Sequence, residues 1–295
     1  MLDLSYFQTQ NSNVQGFFNG GTWQTWIKPR GAKMVNIICQ GSGAGGGGGF
    51  QSGSTPRGGG GGGGSGATAR LTINANLLPD ILYILPGIGG NGGLGGIAGV
   101  VSAGTSGQNS FVTLIPDTGS VSNVVLRSGT TPAVGGSAGS TVDVSGGAAS
   151  TISVIANNIF ANLGIFNFQA GVAGLTGDTT IGGGTTIVNP ITHASGGGGN
   201  STGGSFVGAG VFPSITNTPL NTNGANGIIL YKPTLMLYGG GGGGGSSAVS
   251  TNGGNGGNGA PGAGGGGGGA SSNTGVNAGN GGSGGDGFVI ITTSL

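Results

Sequence analysis

Asn252-Gly-Gly-Asn-Gly-Gly-Asn258 repeats with a period of three, and Asn280-Gly-Gly-Ser-Gly-Gly-Asp286 does so again further on. A polyproline-II-type helix has about 3 residues per turn and rises about 3.1 Å per residue. Gly-Gly-X therefore sets every X on one edge and leaves the other two edges bare. Bare edges let neighbouring helices approach until N–H meets C=O, with Cα–H···O contacts as a supplement. Further runs lie at 45–49, 58–64, 239–245 and 264–269, and in Gly89-Gly-Asn-Gly-Gly-Leu-Gly-Gly-Ile97. A seven-glycine run spans about 22 Å in this conformation. Collagen is excluded, because it needs Gly-X-Y with abundant proline and the chain has only 11 prolines.

Working outward, the chain holds 80 glycines in 295 residues, against an average of about 7%. Glycine loses more conformational freedom on folding than any other residue and has no side chain to bury. Order must come from the backbone, whose buried N–H and C=O groups need partners. Flexible linkers are the ordinary fate of Gly/Ser-rich sequence. Linkers join domains, however, whereas these runs interrupt one set of strands and keep their X residues in phase. The expected structural glycine core includes Gly61, Gly89, Gly92, Gly242 and Gly266.

Only 4% of residues are charged and none is glutamate, against roughly 25% in ordinary domains. With a formal charge of +1 and plentiful β-branched residues, the composition is not that of a solvated coil. Lys28, Arg30 and Lys33 cluster, while Arg57, Arg70, Arg127 and Lys232 stand apart, so the basic face expected of a nucleic-acid binder is missing. The lone Cys39 rules out an intrachain disulfide framework and reads as a small buried hydrophobe. No 18-residue window is continuously apolar, which argues against membrane insertion by a helix. The N-terminus does not read as a secretion signal, so export by lysis or within a particle is expected.

Candidate strands are 34–40, 67–75, 81–85, 110–115, 121–127, 151–156, 227–231, 234–238 and 287–293. The 67–75 stretch alternates with period two, and the others are short apolar runs bounded by turn formers, as in a sandwich. Ile155, Ile159, Phe160 and Leu163 also suit one short helix within 155–168. The expected fold is all-β: an antiparallel β-sandwich-like base combined with packed polyglycine-II helices, with little or no α-helix. The strands at 34–40 and 287–293 bracket the glycine core and are expected to pair. Residues 1–20 read as an attachment segment and 21–295 as a single domain, with a weaker middle at about 100–226.

Nothing in the chain reads as an enzyme. Asp3, Asp80, Asp117, Asp143, Asp178 and Asp286 are spread almost evenly, and no short motif pairs them for acid–base work. His193 is the only histidine, with no second metal ligand near it in sequence, and it reads as a turn residue. GxGxxG patterns carry no weight here, and the Gly-Lys pair of a P-loop is missing. The stretch 281–286 matches one copy of a calcium nonapeptide that works in tandem copies. Asn200-Ser-Thr matches a glycosylation acceptor, idle outside eukaryotic secretion. No catalytic, metal or cofactor residue is assigned. What remains is surface: Phe17 and Phe18 in Gly16-Phe-Phe-Asn-Gly20, and Phe212 and Pro213 in Val211-Phe-Pro-Ser-Ile-Thr-Asn-Thr-Pro-Leu220. These mix aromatics with small polar residues as adaptable binding loops do, and equally as plain loops folded over the bundle do.

The stretch Gly21-Thr-Trp-Gln-Thr-Trp-Ile-Lys-Pro-Arg-Gly-Ala-Lys-Met-Val-Asn-Ile-Ile-Cys-Gln-Gly-Ser-Gly-Ala-Gly-Gly-Gly-Gly-Gly49 resembles the opening of the glycine-rich domain of bacteriophage tail-fibre, fibre-tip adhesin and related virion surface proteins. An aromatic-containing strand, a Pro-x-Gly turn and a β-branched strand lead there into a glycine run. The stretch 58–73, Ile84-Leu-Pro-Gly-Ile-Gly-Gly-Asn-Gly-Gly93 and the closing Gly284-Gly-Asp-Gly-Phe-Val-Ile-Ile-Thr292 continue the likeness. The resemblance implies a β-structured base under a sandwich of polyglycine-II helices whose connecting loops bind a host surface receptor. It implies a virion-surface location, other virion proteins as partners and, by fibre analogy, a homo-oligomer such as a trimer. A capsid-decorating or head-fibre protein is the alternative. An ice-binding-like bundle is a remote one, since X is mostly Asn, Leu, Ser or Asp rather than a regular row of Thr.

Overall fold

The structure, a computed structural model, describes residues 12–53, 57–97, 100–152, 160, 163–179, 195–196, 199, 205–206, 217–218, 223–232, 236–239, 252–272 and 276–295. Thirteen strands occur among them. They are β1 (Ser12–Phe17), β2 (Gln24–Ile27), β3 (Met34–Gln40), β4 (Thr68–Asn74), β5 (Ile81–Leu85), β6 (Phe111–Thr113), β7 (Val124–Arg127), β8 (Ile165–Gln169), β9 (Ser205–Phe206), β10 (Asn217–Thr218), β11 (Ile229–Lys232), β12 (Met236–Gly239) and β13 (Phe288–Ser294). Among the described residues helix is confined to two short 3₁₀ turns, 75–77 and 121–123. The fold is all-β.

Two antiparallel sheets form the base, ordered β1-β13-β3-β4-β8 and β2-β5-β6-β7. The expected pairing of the first long apolar strand with the last is present, with Ile37 opposite Ile291 and Cys39 opposite Val289. Alternation decides which face is buried. Val35, Ile37 and Cys39 of β3, Leu71 and Ile73 of β4, and Val289 and Ile291 of β13 meet Trp26, Leu82, Ile84, Val112 and Leu126 of the other sheet in one core. The β2–β3 connection turns at Pro29-Arg30-Gly31-Ala32, where the Ala32 N–H bonds the Pro29 carbonyl at 3.3 Å. Gly31 has φ +81°, the sign that a type II turn demands at its third position.

Strand after strand runs on directly into extended glycine-rich chain: β3 into 41–51, β5 into 87–96, β7 into 129–140 and β8 into 170–179, with 57–66, 101–109 and 276–287 feeding β4, β6 and β13. The central segment, 41–51, is ringed by six others. Its N–H groups donate in rotation to 102–108, 279–285 and 58–67, as in Ser42 to Gln108, Gly43 to Gly285 and Ala44 to Gly64, at 2.9–3.0 Å. Its carbonyls accept from 90–96, 265–271 and 136–139, as in Gly90 to Gly43, Gly265 to Ala44 and Gly136 to Gly45. Three donor and three acceptor directions repeated every third residue form hexagonal polyglycine-II packing. Segment 57–66 is ringed in the same way, by 44–50, 134–140, 172–178, 262–268, 147–150 and 196–199.

This packing excludes side chains. A Cβ on Gly61 would stand 2.3 Å from the Ser145 carbonyl oxygen, one on Gly89 2.2 Å from that of Gly284, and one on Gly92 1.9 Å from that of Gly281. Gly266 donates to Gly257 at 2.9 Å and accepts from Gly282 at 2.8 Å. Of the expected glycine runs, 58–64 and 264–269 bond each other directly, and 89–96 joins them through the central segment 41–51 and through 279–285. Gly242 and the 240–245 stretch lie outside the described residues, as do His193 and Asn200.

Within the middle region, 102–108, 134–140, 144–150 and 171–178 bond into the outer layer of the same bundle. A peripheral helix needs glycine only on the edge that faces inward, and Gly171, Gly174 and Gly177 keep that spacing. The helix considered within 155–168 is not formed at its C-terminal end. Ile165–Gln169 is a strand on the free edge of β4, with Phe166 and Phe168 stacked 5.8 Å apart, while 153–159 and 161–162 lie outside the described residues. The strand expected at 121–127 begins at Val124, after a 3₁₀ turn.

Candidate interaction surfaces

Because the strands run straight into the bundle, the molecule has two poles. At the base pole lie the first residue of β1 and the last of β13. There Ile27 (65% exposed), Met34, Leu77 and Ile81 are exposed apolar side chains. Beside them Lys28 pairs with Asp80 at 2.9 Å and donates to the Leu78 carbonyl at 2.8 Å. At the opposite pole lies the 140–144 connection between polyglycine helices, whereas the 260–263 turn between two others lies at the sheet end, where the Gly66 N–H bonds the Gly262 carbonyl. Central segment 41–51 carries that tip about 34 Å from the sheet. Exposed Ile97, Val100 and Val142 stand there. An open depression of about 470 Å³ is lined by Gln51, Gly95, Gly96, Ile97, Val100, Val276 and Asn277.

The bundle's sides show why X is so often Asn, Ser, Thr or Asp. At the surface an N–H has no further helix to bond, so a side-chain oxygen from the adjacent helix takes it. Thr105 accepts from Asn91 and Ser102 from Leu94. Asp286 accepts from Gly89. On one face the acceptors are asparagines in file: Asn223 Oδ1 takes the Asn255 N–H at 2.9 Å, Asn255 Oδ1 that of Asn280 at 2.8 Å, and Asn280 Oδ1 that of Gly95 at 2.8 Å. Parallel files run from Asn226 through Asn258 to Ser283, and from Asn252 to Asn277. An open depression of about 500 Å³ lies over this grid.

The residues singled out for receptor contact separate. Phe17 is 7% exposed and belongs to the core, which corrects its reading as a contact residue: the outward neighbour in the pleat is Phe18, 38% exposed and 5.8 Å from the Phe288 ring. Residues 12–17 of the expected attachment segment are an edge strand on β13. Phe212 and Pro213 lie outside the described residues. The tip and the asparagine grid were not singled out from sequence; the period-three spacing of Asn was the signal that could have found the grid.

The acidic side chains among the described residues have structural partners. Asp117 caps its own turn through the Gly119 N–H at 2.8 Å. Asp143 at the tip accepts the Thr179 hydroxyl at 2.7 Å and the Thr179 N–H at 2.8 Å, and the hydroxyl bond first, then the backbone bond, hold its carboxyl below the usual range. The folded pKa lies below the unfolded one. The clasp is therefore complete above the unfolded value, roughly pH 4, and is lost as pH falls through the folded value. The Thr179 amide resonance should titrate with a midpoint below that of a free aspartate, and a midpoint at the free value would remove the clasp. Cys39 is buried, donates to the Ser110 carbonyl at 3.3 Å, and burial pushes its thiol far up, so no thiolate is on offer. Among the described residues no group of three His, Cys, Asp or Glu could hold a metal.

The architecture is that of a glycine-rich β protein, a short sandwich extended by a polyglycine bundle. A sequence model of the glycine-rich domain family matches residues 18–294, and the chain belongs to that family. No curated protein matches it.

Proposed function

We propose that the chain is a surface protein of a bacteriophage particle that holds the particle by its base and meets the host cell with its tip. The reading is non-enzymatic, with other virion proteins and further copies of the chain as partners at the base and a host surface receptor as partner at the tip. The observation that carries it is the separation of poles. The outer ends of β1 and β13 and the exposed apolar Ile27, Met34 and Ile81 lie at one pole, and the 140–144 connection between rigid helices, with exposed Ile97, Val100 and Val142, at the other. Binding residues gather on loops held by a rigid scaffold, and hydrogen-bonded polyglycine packing supplies that rigidity here.

The buried Cys39 permits a direct test. Val142→Cys at the tip or Ile27→Cys at the base gives one reactive thiol, to which a bulky polymer is coupled. The coupled tip variant should lose at least tenfold in binding to susceptible bacterial cells, while the coupled base variant binds as before and fails to enter particles. Equal cell binding by both would remove the adhesin reading. Antibody labelling spread over the capsid would favour the decorating role.

A further inference from the structure

We propose that the asparagine grid is a binding face for an extended, uncharged polysaccharide chain, an inference that rests on the host-surface reading and names the chemistry of a second contact on the bundle's side.

Capping the bundle's outer N–H groups requires only an acceptor, and Ser102, Thr105 and Asp286 meet that need elsewhere on the bundle. On this face the acceptor is asparagine at Asn223, Asn252, Asn255 and Asn280. The partner in each case is an N–H, so the amide oxygen must face it and the Nδ2 group must face away. Capping thus fixes the rotamer and leaves an NH₂ group with two donors, on a side chain exposed to solvent. The donors repeat about every 9 Å along each helix, three residues of polyglycine-II rise, and about 5 Å across, the separation of hydrogen-bonded backbones. These spacings are comparable with the length of a disaccharide and of one sugar residue.

Three features select the ligand. Among the described residues none that lines the depression over the grid is charged, so these residues give a phosphate- or sulfate-rich polymer no Coulomb attraction. The donors are already held in place, so little side-chain entropy is lost when an acceptor-rich chain binds. The grid also shares Gly95 and Asn277 with the tip depression, where Ile97, Val100 and Val276 supply an apolar wall. A sugar chain has both surfaces to match, hydroxyl and ring oxygens at its edges and C–H groups on its faces. A planar water lattice matches a concave, partly apolar surface less well.

The test uses the full chain on an array of neutral linear oligosaccharides of four or more residues, covering glucans, mannans and N-acetylglucosamine polymers. Wild type should bind at least one class. Asn255→Asp with Asn280→Asp keeps the capping oxygens and removes the outward donors, so binding should fall at least tenfold while the melting temperature stays close to wild type. If that variant does not fold, ¹⁵N spectra of the wild type replace it. Titration with tetrasaccharides from the same classes should shift the Asn Nδ2 resonances of this face selectively. No binding on the array, binding unchanged in a folded double variant, or shifts elsewhere only would overturn the proposal. Inhibition of ice recrystallisation without glycan binding would also overturn it and make the grid a water-ordering face. Glycan binding without attachment to cells would leave the grid standing and remove the adhesin reading; cell attachment at the tip without glycan binding would do the reverse.

Discussion

Gly61→Val is expected to abolish the cooperative fold, leaving the protein insoluble or with a melting temperature lowered by tens of degrees. A Cβ alone at Gly61 would lie 2.3 Å from the Ser145 carbonyl oxygen and 3.1 Å from the Gly146 Cα. Both contacts are backbone atoms of a helix that is itself held on other sides, so no flexible side-chain end is available to move. Relief requires segment 57–66 or segment 142–150 to shift. A shift breaks the bonds of Gly61 to Ser137, Gly47 to Gly61 and Gly147 to Gly62. Each is worth about 0.5–1.5 kcal/mol net, and each buried group left unpaired costs about 1–3 kcal/mol. Overpacking adds about 1–3 kcal/mol. The sum is comparable with the whole stability of an ordinary domain, about 5–15 kcal/mol. Asn255→Val is the control. Its side chain is exposed, and the change removes one edge acceptor, that for the Asn280 N–H, worth about 1 kcal/mol or roughly 2–4 °C. Thermal melts followed by circular dichroism measure both; a Gly61→Val melt within about 5 °C of wild type would show that the helices slide freely.

The tolerance at Asn255 was legible in the sequence, because the period of three in 252–258 sets every X on one edge without any knowledge of neighbours, whereas Gly61 was marked only by lying inside an unbroken glycine run. The pairing of β3 with β13 was legible too: Val35, Ile37, Val289 and Ile291 alternate on strands that bracket the glycine runs. Which helix packs on which was not legible. Glycine runs are degenerate, and any of them fits any other at every third residue. Their register is fixed by the strands that feed them, as Gln40 opposite Phe288 sets Gly43 against Gly285. The edge strands were lost for a different reason. Ser12–Phe17 has only Val14 and Phe17 buried, and Ile165–Gln169 carried apolar spacings that a helix also satisfies. Each is a strand because a neighbour offers it an unpaired edge, which is tertiary information. The asparagine grid was half legible: the in-phase Asn residues could be read, but their alignment into files across adjacent helices depends on the same unreadable register.

Deleting residues 288–295 is expected to leave a chain with no cooperative transition, although the cut removes only the end of the sequence. The last strand lies inside the sheet, between β1 and β3. It buries Phe288, Val289, Ile290 and Ile291, each worth about 1.5–3 kcal/mol, so the loss of apolar burial alone is about 6–12 kcal/mol against a typical total of 5–15 kcal/mol. The cut strips β1 of the strand it pairs with and leaves one edge of β3 unpaired. It also frees segment 276–287 from the strand that holds its register. That segment accepts the Gly43, Gly46 and Gly49 N–H groups of the central helix, so its slippage exposes the bundle's innermost donors. The sheet therefore acts as a clamp on a bundle that is marginal alone, since about 0.5–1.5 kcal/mol per bond barely offsets about 1–2 kcal/mol of ordering entropy per residue. Soluble yield and amide exchange measure the outcome. The truncated chain should be recovered insoluble, or with fast exchange throughout 41–51 and 58–66. Slow exchange retained in those two segments would show that the polyglycine bundle stands without its clamp.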